Sequence, residues 1–66
     1  MKYNELSTPS LHELHGLIAG LLLDTDAGVP GVEAYGLRIY PDWHRQADEY
    51  EAALAARGEA FAAIRW

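Results

Sequence analysis

The stretch TPSLHELHGLIAGLLL, residues 8 to 23, decides how the 66-residue chain is read. Leu11, Leu14, Ile18 and Leu21 recur at three- and four-residue intervals, the period of one helix face. Leu17, Leu22 and Leu23 widen that stripe, so the spacing predicts a largely buried helix over 9–23. Thr8 before Pro9 suits a helix start, because proline lacks the N–H that a first turn leaves unpaired. Ser10 with Glu13 offers a competing capping box. Gly16 and Gly20 each cost about 1 kcal/mol against alanine inside a helix. With Ala19 they leave a small-residue face that another backbone could approach closely.

Working outward, DTDAGVPG at 24–31 reads as a loop, since aspartate, glycine and proline favour turns. Residues 32–40 alternate Tyr35, Leu37 and Ile39 with Gly36, Arg38 and Tyr40, which is strand period. A lone strand needs a partner, so an irregular segment packed on the helices is an equal reading. From Pro41 onward, Trp43, Ala47, Tyr50, Leu54, Phe61 and Ile64 form a heptad-like seam in an alanine-rich background. The alanines on both sides of Gly58 favour one continuous helix to the C-terminus, about 35 Å long. The alternative is a cap at Gly58 followed by a short third helix. The expected fold is therefore mainly α: a two-helix, or three-helix, hairpin-like single domain over 1–66, with an irregular or short β segment at 32–40.

Composition bounds the function. A chain this short buries only roughly 60% of its unfolded surface. Half the residues are apolar, enough for a core. There is no cysteine, so no disulfide framework and no thiolate metal site. Ten acids against five bases give a net charge of −5. Such a chain repels nucleic acid and anionic membranes and attracts a basic partner. The polar start, MKYNELSTPS, lacks a signal-peptide core, and the apolar block 17–23 is too short to span a bilayer. A cytoplasmic setting is expected.

The chain resembles, through ELHGLIAGLL at 13–22 preceded by Leu6-Ser7-Thr8-Pro9, the N-terminal segment of the YgfB/YecA-like family of bacterial helical proteins. The resemblance covers about a quarter of the chain. It implies a helical, protein-interacting regulator with close hairpin packing at Gly16 and Gly20, and it transfers no catalytic residue. The metal-binding cysteine motif of some members is absent.

Candidate chemistry is sparse. His12, Glu13 and His15 suggest a metal site, but the zinc-protease motif places its histidines four apart, not three. A third ligand would have to come from His44, Asp24 or Asp26. The plainer reading leaves His12 exposed beside Glu13 and puts His15 at the edge of the core. Asp24-Thr25-Asp26 opens like a calcium loop, yet Val29 and Tyr35 stand where that loop needs glycine and glutamate. The serines, Ser7 and Ser10, sit where capping explains them. No cofactor and no enzymatic activity is expected.

The aromatics and acids carry more weight. Tyrosine, tryptophan and arginine dominate interface hot spots. Tyr35, Tyr40, Trp43, Tyr50 and Trp66 share the second half of the chain with Arg38, Arg45 and Arg65. Asp24, Asp26 and Glu33 form one base-free acidic patch. Asp42, Asp48, Glu49 and Glu51 form another around Arg45. The expected partner-binding residues are Arg38, Tyr40, Asp42, Arg45, Asp48, Glu49, Glu51 and Trp66. The leading expectation is a protein-binding regulator or inhibitor that occupies a basic, nucleic-acid-binding surface of another protein, as phage-encoded (anti-CRISPR-like) inhibitors do. The alternatives are a helical homodimer serving a larger assembly and a small metal-binding protein using His12, His15 and His44.

Overall fold

The computed structural model describes residues 5–66. Helix α1 spans Thr8–Ala27, a 3-10 turn spans Val32–Tyr35 and helix α2 spans Pro41–Ala56. The two helices form an antiparallel hairpin: Arg57 at the end of α2 donates to the Thr8 hydroxyl and the Leu6 carbonyl, and Arg38 just before α2 donates to Asp26 near the end of α1. No helix among the described residues is long and apolar enough to cross a membrane.

α1 begins one residue earlier than the Thr8-Pro9 reading. Ser7 is the N-cap, its hydroxyl oxygen accepting from the Ser10 amide at 3.2 Å, and Pro9 falls within the first turn. Leu11, His15, Ile18 and Leu22 form its buried face. The helix also runs a turn further than the leucine stripe, through Asp24, Thr25 and Asp26, which were expected in a loop. Thr25 fits because its hydroxyl donates back to the Leu21 carbonyl at 2.8 Å. Gly28, at φ +75°, then ends the helix: its amide bonds Thr25 O and the Val29 amide bonds Asp24 O. That pair of bonds is the Schellman motif, which requires a left-handed residue where they turn back.

The segment over 32–40 is not a strand. Successive turns carry it from α1 to α2, burying Val32 and Leu37 and leaving Tyr35, Ile39 and Tyr40 exposed. No strand occurs among the described residues, so the alternation found no neighbour to pair with.

The continuous C-terminal helix is corrected, and so is its alternative of a third helix. α2 stops at Ala56. Gly58, at φ +71°, closes a second Schellman motif, with its amide on Ala55 O and the Glu59 amide on Leu54 O. Residues 59–66 follow without regular structure and pack Phe61, Ile64 and Trp66 against the core. Geometry explains the departure from alanine's helix propensity. α1 starts beside the end of α2, so a longer α2 would carry Phe61 and Ile64 past its packing partner into water. Folded back, eight extended residues span about 26 Å. That matches the about 24 Å of α2, whereas a helical tail would cover half of it. Burying large apolar side chains is worth about 1.5–3 kcal/mol each when complete. Even partial burial outweighs propensity differences of tenths of a kcal/mol per residue.

The core comprises Leu11, Ile18, Leu22, Leu37, Ala47, Tyr50 and Leu54, with Leu6, Leu14, Leu21, Trp43 and the tail residues around it. The expected close approach at Gly16 and Gly20 is absent: a Cβ on either would meet nothing within 4 Å. Leu17 and Leu23 on the same outward side are 59% and 71% exposed. The sign of one substitution therefore depends on its glycine. Gly20→Ala should raise the stability by about 0.5–1 kcal/mol through helix propensity. Gly58→Ala should lower it by about 1–2 kcal/mol through left-handed strain. Urea unfolding of both variants checks this; equal effects of one sign would refute the two backbone assignments.

Candidate functional site

Each histidine takes its own carboxylate. His12 Nε2 lies 3.1 Å from Glu59 Oε1, His15 Nε2 lies 2.8 Å from Glu51 Oε2, and His44 Nε2 lies 3.5 Å from Asp48 Oδ2. The metal reading is not supported by this placement, since no group of three or more His, Cys, Asp or Glu among the described residues is arranged to hold a metal. What the histidines do share is the tail. His12 meets its first residue, His15 packs edge-on against Phe61 with ring centroids 5.8 Å apart, and His44 stacks on Trp66 at 4.7 Å.

Glu51 is half-buried between α1 and the tail and does not stand on the open acidic surface. Its side chain is only 17% exposed. Oε2 accepts from His15 Nε2 and from the Ile64 backbone amide at 2.9 Å. A carboxylate only accepts, so Nε2 carries the hydrogen in this pair. Both acceptances are needed, because a desolvated carboxylate without partners is unfavourable by several kcal/mol.

Arg38 and Trp66 are likewise engaged within the chain. Arg38 clasps Asp26 with two bonds, Nε to Oδ1 at 3.1 Å and Nη2 to Oδ2 at 2.7 Å, and donates through Nη1 to the Trp66 carbonyl. The Asp24, Asp26 and Glu33 patch is thus not base-free. Carboxylates at a helix C-terminus oppose the helix dipole, and α1 has no base in its last turn. Arg38 supplies that charge from outside the helix. Its hydrogen bond, opposed by desolvation and helped by its charge, holds the Asp26 carboxyl below its ordinary 3.8. A lowered carboxylate pKa stabilises the fold above the ordinary value and loses that contribution as pH falls below it. At this exposed site the effect is small.

The other surface residues lie where the helix period puts them. Asp42, Arg45 and Glu49 follow one outward line along α2, at spacings of three and four. Asp42 is 73% exposed and pairs with Arg45. Asp48 stands on the flank beside His44, also exposed. On the opposite flank an open cleft of about 340 Å³ is lined by Tyr35, Tyr40, Asp42, Trp43 and Gln46. Tyr40 and Asp42 are among the contact residues expected from sequence; Tyr35, Trp43 and Gln46 join them only in the folded chain. The turn at Gly36, which sets Tyr35 beside Tyr40, is the signal that strand-like alternation obscured.

No family model matches the chain, and no curated protein or solved structure matches it.

The roles of the acids separate on mutation. Glu51→Ala should cost about 1–3 kcal/mol, the penalty for stranding buried donors, and should speed hydrogen exchange at the Ile64 amide. Glu49→Ala should stay within about 0.5 kcal/mol. Similar small losses from both would place Glu51 on the surface after all.

Proposed function

We propose that this chain is a non-enzymatic protein-binding regulator or inhibitor, acting in the cytoplasm on a partner with a basic surface. The observation that carries this reading is the outer face of α2. Asp42 and Glu49 stand exposed there, with exposed Asp48 on one flank and exposed Tyr35 and Tyr40 on the other. Carboxylates in rows suit a groove whose arginines and lysines otherwise hold nucleic acid phosphates. Aromatic rings at the edge of such a row add the contact area on which hot spots depend. The proposed mode of inhibition is occupation: the acidic face covers the basic groove and excludes nucleic acid, as phage-encoded inhibitors of nucleic-acid-targeting defence complexes do. Of the residues first considered, Asp42, Asp48, Glu49, Arg45 and Tyr40 remain in the proposed interface. Glu51, Arg38 and Trp66 serve the fold.

One observation favours a second reading, a homodimer. It is not the C-terminal helix, which ends too early, but the outward face of α1, where Leu17 and Leu23 are exposed next to Gly16 and Gly20. Helices approach closely over such small residues. A monomer in sedimentation at high micromolar concentration contradicts this alternative.

The test of the main reading is affinity capture from the native host with increasing salt. The captured partner should be basic and should elute as salt screens the exposed charges. The Asp48→Lys, Glu49→Lys double variant should retain its helical circular dichroism and lose at least tenfold in affinity. Capture indifferent to both salt and charge reversal would refute the electrostatic mode.

A further inference from the structure

We infer that the cleft between the turn and α2 is an aromatic cage for an alkylammonium group, the head of a lysine side chain in free or methylated form. The inference deepens the reading of the acidic face and rests on it for the origin of the ligand.

Three rings and a carboxylate meet in this cleft: Tyr35, Tyr40, Trp43 and Asp42, with the Gln46 amide at its side. The arrangement is held from within the chain. The Trp43 indole donates from Nε1 to the Tyr35 backbone carbonyl at 2.7 Å, which fixes that ring to the turn from which the Tyr35 side chain projects. The Tyr40 ring lies against Gly36, so closely that a Cβ there would stand 2.5 Å from its Cδ2. Gly36 itself is left-handed, at φ +65°, and its carbonyl accepts from the Tyr40 amide at 2.9 Å. Glycine is thus required twice, for the turn and for the ring's seat.

The chemistry of the lining selects the ligand. Tyr35 and Tyr40 remain 52% and 58% exposed, although large aromatic surface is unfavourable in water. Faces of tyrosine and tryptophan attract cations through their quadrupole, and aromatic enclosures of this kind recognise quaternary ammonium groups. An anion finds Asp42 at the cleft and is repelled. The first turn of α2 contributes partial positive charge at this point, and the Asp42 carboxylate offsets it. Arg45 pairs with the same carboxylate, so a bound cation shares Asp42 with that guanidinium. The volume suits a small head group more than a folded peptide. A lysine presented by a basic partner brings this group to the edge of the outward line that carries Asp42 and Glu49.

Choline and 3,3-dimethyl-1-butanol test the inference on the intact chain. The two are alike in shape and differ in charge, nitrogen replacing carbon. Titration is followed by the Trp43 indole N–H resonance in ¹⁵N-labelled protein, assigned with Trp43→Phe. Choline should shift it saturably and bind about tenfold or more tightly than the neutral alcohol, in line with cation–π attraction from several rings. Tyr40→Ala and Tyr35→Ala, both at exposed positions, should each weaken choline by several-fold and keep the helical circular dichroism. Absence of a saturable shift, equal binding of the alcohol, or unchanged choline binding in both variants would overturn the cage. Choline binding needs no partner. If it fails while the basic partner is still captured in a salt-dependent way, the cage falls and the acidic face stands; the reverse result leaves the cage and removes the acidic face.

Discussion

Glu51 Oε2 accepts two hydrogen bonds, one from the His15 imidazole on α1 and one from the Ile64 amide on the tail, and three parts of the chain meet at that atom. α2 supplies the carboxylate, α1 the ring, and the tail a backbone group that would otherwise lack a helical or strand partner. The same junction sets His15 edge-on to Phe61. A tail without regular structure has few backbone bonds of its own, so the remaining attachments matter: Glu59 on His12, Trp66 stacked on His44, and Arg38 on the Trp66 carbonyl. Among the described residues no buried side-chain nitrogen or oxygen lacks a partner. For a domain this small, where large apolar area is scarce, complete pairing of the few buried polar groups is a condition of stability.

Two left-handed glycines convert that junction into a fold. Gly28 and Gly58 close identical Schellman motifs at the ends of α1 and α2. The first releases the chain into the turns that carry Tyr35 and Tyr40. The second sends the tail back along the hairpin. Because the tail covers one side of α2, at Glu51 and His44, and the aromatic turn covers the other, the line of Asp42, Arg45 and Glu49 is left facing water. The acidic face is what remains of α2 after the core, the tail and the turn have taken their sides.

The helices were legible in the sequence because their signals are local. The stripe of Leu11, Ile18 and Leu22 and the seam of Ala47, Tyr50 and Leu54 announce buried faces without reference to anything distant. The Thr8-Pro9 start was correct to within a residue. The tail was not legible. Ala60, Ala62 and Ala63 favour a helix in isolation, and what overrides them is the position of the start of α1, which is tertiary information. Glu51 stands four residues after Ala47 and three before Leu54 and so shares their face; what the sequence did not show is its partners, His15 and the Ile64 amide, which are tertiary information. Arg38 lies twelve residues from Asp26 in the chain and is hydrogen-bonded to it in space. The cleft was half visible. Tyr40 and Asp42 could be named from composition, but Tyr35 and Trp43 join them only through the left-handed turn at Gly36.

The central claim is that the chain folds back at Gly58 and is held there by α1 and α2. A nuclear Overhauser spectrum of the isotope-labelled protein tests it most directly. The account predicts cross-peaks between the Phe61 ring and the His15 imidazole, and between the Trp66 indole and the His44 ring, with helical i to i+3 connectivities ending at residue 57. Helical connectivities running unbroken from residue 54 to residue 64, with neither ring contact, would contradict it.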